Sequence, residues 1–435
     1  MTVQASRTRP IEREDLRPDG PGSRRRQVVG RSPRRFGLSA LTWYAIAVVL
    51  VTRLALLIVA MVTVRTVPRI GPYPEQLYDR FLANDPLFDG WARWDVSHYV
   101  AVARLGYGDP DSPSHDGGVG FFPLYPLLMR GAVAVVGDEP EGPALAFAAL
   151  AISFACFLVA VPLFAGLVAD QLGERIARTA TLLLCVSPFS FFFTAAYSES
   201  LFLLLVVASL RLGLSGRWRA AALVAGLATG SRLVGLAIAP ALIFLAWRRG
   251  EPIRELVWTA VLSVWGVVAY FGYLWVETGN PFAYFSAQAN WGNWSDYVWY
   301  YLDFLIRDPV GYFTGDERRL VIALNVVLGL GAMVVLPLVW RWLDEATALL
   351  TTLLVVVQFA NTWVSLGRYL LPAIGVTIVV AALIEGARPG DRAEVLRSSA
   401  RLPRSSTGLR DLTLVVSTAL LVLLMVLFAA GFWVV

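Results

Sequence analysis

Charge at membrane depth is costly and is retained where it has work to do. In this apolar chain, acid, histidine and arginine side chains are therefore the first candidates for chemistry. The densest group is GWARWDVSHYVAVARLGYG (Gly90–Gly108). If the stretch is helical, Trp94, His98 and Val102 share one face and Asp95 lies beside Tyr99. Aromatic and apolar neighbours suit Asp95 to act as a general base; the plainer alternative is that it caps a short surface helix. The chain's two histidines, His98 and His115, both fall here. Their spacing is a weak metal signal, and His98 reads better as a hydrogen-bonding partner. Further along, Glu199 in AAYSES (Ala195–Ser200) is either a second site carboxylate or a first-turn acid favoured by the helix dipole behind an N-capping Ser198. Arg232 and Arg368 stand at the ends of apolar runs. Guanidiniums there suit a phosphate through paired hydrogen bonds, or anchor a helix by snorkelling to headgroups.

The elements that must position these groups are membrane helices. The chain has 435 residues, of which 57% are hydrophobic and 16% charged, and its mean hydropathy is +0.61. Such a chain would expose large apolar patches as a water-soluble protein, so the fold class is an all-α polytopic membrane protein. Cys156 and Cys185 both lie in apolar runs, which excludes a disulfide framework and a cysteine zinc site. All 37 basic residues are arginine, so lysine Schiff-base chemistry and a Walker-type phosphate loop are excluded as well.

Residues 1–39 read as a disordered, arginine-rich tail. Its ten arginines against four acids fit a positive-inside signal ahead of the first span better than a nucleic-acid-binding arm. Hydropathy gives about eleven transmembrane helices. The first is Ala40–Val64, with Arg53 facing other helices. Then come Pro143–Ala169, Thr179–Ala196, Ser198–Leu214, Arg219–Ser231, Leu233–Trp247, Glu255–Val276, Leu320–Trp342, Ala346–Val364, Tyr369–Gly386 and Leu412–Val435. Phe121–Gly137 is short and proline-broken, so it reads as juxtamembrane or re-entrant, with a full span as the alternative. Arginine clusters flank Arg219–Trp247 on both sides, which calls for a hairpin of two short helices turning near Gly230-Ser231-Arg232. The domain reading is a catalytic transmembrane region at 40–386, with a large first outer loop at 65–142 and a second at 277–319. A basic inner loop at 387–411 and a last helix at 412–435 follow. The second outer loop is dense in aromatics, as an interfacial belt or as sugar or lipid contacts. The charges Asp89, Arg93, Asp95, His98, Glu199, Arg232 and Arg368 all fall on the outer side of this topology.

The blocks RWDVSHYVAVARLGYG (Arg93–Gly108) and GFFPLYPLLMR (Gly120–Arg130) resemble the PIG-V family, which contains the second mannosyltransferase of GPI-anchor assembly and bacterial relatives. SPFSFFFTAAYSESLF (Ser187–Phe202) is similar to a second family block, and GNPFAYFSAQANW (Gly279–Trp291) and GRYLLPA (Gly367–Ala373) to less specific later ones. Tyr99 and Tyr125 stand where phenylalanine is expected. The arginine-only basic set suggests a bacterial member. The resemblance implies a GT-C glycosyltransferase fold whose first outer loop carries an essential acid, and a polyprenyl-phosphate sugar donor, above all polyprenyl-phosphate mannose. It makes Asp95 the candidate catalytic residue, with His98 and Phe121–Pro126 as motif companions and Tyr197, Ser198 and Glu199 in the second block.

The expectation is an inverting mannosyltransferase on the outer face of the cytoplasmic membrane, with its amino terminus inside. Asp95, His98 and Glu199 are the catalytic candidates, Arg232 and Arg368 hold the donor phosphate, and Arg93, Trp94, Tyr197 and Gln288 contact substrate. No cofactor is called for; a divalent metal is possible and not required, since a single phosphate needs little neutralisation. The partners are the lipid-linked donor, a glycolipid, glycan or protein acceptor, and the bilayer, with no nucleic acid. The alternatives are a transporter or flippase for lipid-linked sugars, an envelope scaffold, and the same enzyme using arabinose or glucose.

Overall fold

The structure is a computed structural model that describes residues 39–67, 80–107, 118–289, 303–304, 306–308, 317–361, 365–387, 407–432 and 434. The amino-terminal tail, His115, the three tryptophans of 277–319 and most of the basic segment 387–411 lie outside the described residues. Among the described residues the chain is helical and contains no strand.

Helix α1 (Ala40–Thr66) begins at Ser39, whose hydroxyl accepts from the Thr42 amide at 3.1 Å. Its 27 residues rise about 40 Å, more than a hydrocarbon core of about 30 Å. Helix α2 (Val96–Leu105) and α3 (Leu124–Val136) follow in the long connection between α1 and α4. Helix α4 (Gly142–Leu172) packs against α1, α3, α5 (Glu174–Val186) and α6 (Glu199–Leu214), and so occupies the middle of the bundle. Helix α7 (Trp218–Ser231) runs against α6, and α8 (Ile238–Arg248) returns from it. The pair α9 (Ile253–Ser263) and α10 (Trp265–Thr278) is bent by 45°. At that bend α7 approaches closely, and a Cβ on Gly266 would lie 2.1 Å from the Gly226 carbonyl oxygen, so the seam requires glycine. Short α11 (Ala283–Ala289) precedes α12 (Glu317–Trp342) and α13 (Glu345–Asn361). A single turn, α14 (Leu366–Tyr369), leads to α15 (Ile374–Ile384), and α16 (Thr407–Ala429) closes the chain against α1 and α5.

Among the described residues four helices, α1, α4, α12 and the body of α16, are each long and apolar enough to cross a membrane, and the bent α9–α10 pair reaches that length and hydropathy only when its two halves are taken together. The protein is a multi-pass membrane protein, but several segments that hydropathy joins into single spans are broken by the backbone. Thr179–Ala196 is one. Helix α5 stops at Val186 because Pro188 disfavours helical geometry at Ser187, which is extended (ψ 149°). A 3-10 turn, Ser190–Phe193, takes over. The carbonyls stranded at this break are taken by Arg53 of α1, which is buried as expected. It donates to the Ser190 carbonyl at 2.7 Å and to the Cys185 carbonyl. The Tyr369–Gly386 run is likewise interrupted at Pro372: the α14 turn ends at Tyr369, and the 11-residue α15 begins only at Ile374. The Phe121–Gly137 segment forms α3, a 13-residue helix of about 20 Å that is short for a crossing. The hairpin across Arg219–Trp247 is present. Its break falls on Arg232, which is extended (φ −156°, ψ 142°) between α7 and a 3-10 turn, Leu233–Ala237.

Candidate active site

The connection between α1 and α4 is clamped before it reaches Asp95. Asp89, fully buried in a 3-10 turn, accepts both terminal nitrogens of Arg93 at 2.8 Å each and also a hydrogen bond from Arg80. Burial opposes ionisation of Asp89, but the hydrogen bonds and charges of Arg93 and Arg80 outweigh it and hold the carboxyl below its ordinary range. Arg93 also donates to the Ala429 carbonyl at 3.3 Å, satisfying an orphan acceptor at the end of α16. The structure therefore places Arg93, expected to contact substrate, in a buried clamp between the loop and the last helix.

Two residues on, Trp94 adopts φ +58°, the left-handed region. Helix α2 starts only at Val96, so Trp94 is not on a helical face with His98 and Val102, contrary to the sequence expectation. Asp95 occupies the N-cap position, yet its side chain makes no capping bond. Its Oδ2 instead accepts from Arg368 Nη1 at 2.8 Å. Among the described residues no hydrogen bond reaches Oδ1, and the side chain is 17% exposed. The His98 ring stacks on Phe121, centroids 4.7 Å apart and 16° from parallel. Burial lowers the His98 pKa from its ordinary 6.5, with the Asp95 charge pulling upward. As pH falls below about 6.5 the unfolded chain takes up a proton that the folded site resists, so stability should drop on acidification. His98→Gln should flatten that acid limb. Thermal melts in detergent at about pH 7.5 and 5.5 check this; equal acid losses in both proteins would remove His98 as the cause.

The second cluster of site residues comes from the segment between α5 and α6. Ser198 sits at the N-cap position of α6 without capping it, and its hydroxyl is hydrogen-bonded to Tyr99 at 2.9 Å. Glu199 Oε1 accepts from Arg232 Nη1 at 2.7 Å and from Arg368 Nε. The Arg368 guanidinium lies over the Tyr197 ring at 4.4 Å, and Arg232 lies over Tyr369 at 5.0 Å. Asp95, Arg368, Glu199 and Arg232 thus form one chain of alternating charge. Its inner members, Arg368 and Glu199, are each 2% exposed, while its ends, Asp95 and Arg232, are each 17% exposed. Arg232 makes no other hydrogen bond among the described residues, so its remaining donors are open. Arg368, by contrast, is buried with one edge on each carboxylate.

Buried hydroxyls tie this cluster to the bundle. Tyr125 donates to the Ala149 carbonyl at 2.8 Å and is bonded to Ser153, whose hydroxyl donates to the Tyr197 carbonyl at 2.8 Å. Tyr99 and Tyr125, at positions where phenylalanine was expected, use the added hydroxyls for these bonds. Ser153 and Asn325 are the residues that the sequence reading missed, and a lone polar side chain in an apolar helix was the available signal. Asn325 Oδ1 accepts from the Gly367 amide at 2.8 Å and so fixes the turn carrying Arg368. A Cβ on Gly367 would meet Phe189 at 2.2 Å. Gly367→Ala should therefore cost about 1–3 kcal/mol and weaken function by moving Arg368. A melting temperature and turnover equal to wild type would show that the turn tolerates the methyl. Gln288, on α11, is exposed, and no contact among the described residues joins it to the cluster. Among the described residues no three histidine, cysteine, aspartate or glutamate side chains gather to hold a metal ion.

Residues 41–249 match the model of the family described as mannosyltransferase (PIG-V). GPI alpha-1,6-mannosyltransferase 2 of Mus musculus is 32% identical over 184 residues, 39% of this chain and 33% of that protein. The chain thus spans about a third of the length of the curated relatives it matches. Two solved structures resemble it at low identity. One is the crystal structure of ArnT from Cupriavidus metallidurans bound to undecaprenyl phosphate, at TM-score 0.45 and 14% identity, covering 90% of this chain and 77% of that one. The other is the Archaeoglobus fulgidus oligosaccharyltransferase in the apo form, at TM-score 0.43 and 13% identity, covering 87% and 56%. The matched family region contains Asp95, His98, Glu199 and Arg232 and ends before Arg368. That region, which carries three of the four members of the charge chain, is similar to the mannosyltransferases of the PIG-V family.

Proposed function

We propose that this protein transfers mannose from a polyprenyl-phosphate mannose to an acceptor hydroxyl at the outer face of the cytoplasmic membrane, inverting the anomeric centre in a GT-C-type fold. The observation that carries this reading is Asp95. It stands at the head of α2 where a carboxylate would ordinarily cap, and presents an Oδ1 that accepts no hydrogen bond among the described residues at the partly exposed end of an ion chain. The family match over residues 41–249 supports the reaction class.

In the proposed step, Oδ1 of Asp95 takes the proton of the acceptor hydroxyl while the acceptor oxygen attacks C1 of the sugar. The bond from C1 to the phosphate oxygen breaks, and polyprenyl phosphate leaves with one more negative charge than the donor carried. The open donors of Arg232 meet that charge as it develops. The sequence expectation paired Arg232 with Arg368 on the phosphate. The burial of Arg368 and its two carboxylate partners instead favour a role in orienting Asp95, with Arg232 as the phosphate contact. One base suffices because the lipid phosphate leaves unprotonated.

The test uses purified protein, undecaprenyl-phosphate [³H]mannose, and a glycolipid and glycan extract of the source cells as acceptor. Label should move covalently to acceptor with inverted configuration. Label crossing the bilayer of proteoliposomes with no covalent transfer would overturn the proposal in favour of a flippase.

A further inference from the structure

The sequence placed Tyr197 against substrate, but its side chain is fully buried. We infer that Tyr197 is a positioning residue that fixes the backbone carrying Asp95, an inference that rests on the proposed base role of Asp95. The phenol oxygen spans Trp94. It donates to the Arg93 carbonyl at 2.9 Å and accepts from the Asp95 amide at 3.3 Å. Between those two groups lies Trp94 at φ +58°, the one non-glycine residue with positive φ among the described residues. A bulky L-residue in that region is disfavoured and persists only where its surroundings over-determine it. The Tyr197 hydroxyl supplies that determination from a single atom.

The same side chain also sets the partner of Asp95. The Arg368 guanidinium lies over the Tyr197 ring, and from there reaches Asp95 Oδ2. Thus the hydroxyl holds the main chain of the base, and the ring face holds the cation that orients its carboxylate. Tyr197 is itself held from behind. Its ring packs edge-on to Phe192 with centroids 5.1 Å apart, its carbonyl accepts from Ser153, and the neighbouring Ala196 amide donates to the Trp91 carbonyl at 3.2 Å. The α5–α6 connection and the Trp91–Asp95 segment therefore move as one piece. Tyr197 reaches the reaction only through Asp95.

Tyr197→Phe separates the two contributions, because it keeps the ring under Arg368 and removes the hydroxyl. In the transfer assay above, the full-length variant should lose ten- to a hundredfold in kcat while its donor KM stays within about twofold of wild type. A raised KM with unchanged kcat would instead make Tyr197 a substrate contact and overturn the inference, as would wild-type values of both. If the phenylalanine variant cannot be recovered from the membrane, Ser153→Ala carries the same test by releasing the Tyr197 carbonyl. It should lower kcat at constant KM, and wild-type kinetics would refute the inference. Asp95→Asn run in parallel keeps the failures apart. An active Asp95→Asn sinks the base assignment itself, whereas an inactive Asp95→Asn beside a fully active Tyr197→Phe sinks only the positioning role.

Discussion

Asp95→Asn is expected to lower mannosyl transfer by about 10²–10⁴-fold, the usual contribution of a general base, with expression and donor affinity essentially retained. The substitution is close to isosteric, and the amide oxygen can still accept from Arg368 Nη1, which now reaches Oδ2 at 2.8 Å. Arg368 keeps Glu199 as its second partner, so no buried cation is stranded. What disappears is the basic oxygen at the open end of the chain. An amide cannot take a proton from an attacking hydroxyl. The loss should therefore appear in kcat, with donor KM little changed, because the donor phosphate is assigned to Arg232 at the other end. Asp95→Glu retains a base but lengthens the reach by one methylene, and should recover part of the rate. Turnover numbers for both variants on detergent-purified protein decide it. Near-wild-type turnover in the asparagine variant would remove Asp95 as the base.

How much of this site was legible in the sequence depends on which kind of contact is asked for. Asp95, Glu199, Arg232 and Arg368 were marked individually, because charge beside apolar runs is conspicuous. Their pairing was not, since Asp95 and Arg368 are 273 positions apart and Glu199 and Arg368 are 169 apart. No periodicity couples positions so distant. The consequence for function is specific: an arginine that looks free for phosphate on paper has both edges occupied by carboxylates in the fold. Long helices were read well, as in α1 and α4, where the apolar run and the helix coincide within a few residues. Broken ones were not. Hydropathy averages over Ser187-Pro188 and over Leu371-Pro372, where the helical hydrogen-bond ladder stops while the apolar character continues. Those breaks place Tyr197 and Arg368 on turns, where their side chains and backbones can reach Asp95. The hairpin break at Arg232 was legible because charge on both flanks demanded a return, and it delivers Arg232 to Glu199. The double role of the Tyr197 hydroxyl was not, because a tyrosine in an aromatic run carries no mark of what its oxygen will meet.

Glu199→Gln is expected to be the most destabilising single change in the cluster, at about 3–5 kcal/mol, the range for removing one partner of a buried ion pair. Glu199 is the shared counter-ion of Arg232 and Arg368. Neutralising it leaves two guanidiniums side by side, one of them almost fully buried, with Asp95 as the remaining acid. Arg232→Gln should cost less, because Glu199 keeps Arg368 and the arginine it loses is partly exposed. That variant should show its effect in donor binding instead. The two changes should not add. Once Glu199 is neutral, removing Arg232 takes away the repulsion that the first change created, so the double variant should be more stable than the sum of the single losses. A double-mutant cycle on thermal unfolding in one detergent, with donor KM measured in parallel, reads both terms. The electrostatic account of the cluster fails if Glu199→Gln melts with wild-type protein, or if the cycle is additive. Non-additive stability with unchanged donor KM in Arg232→Gln would leave the ion chain in place as architecture and move the phosphate contact elsewhere.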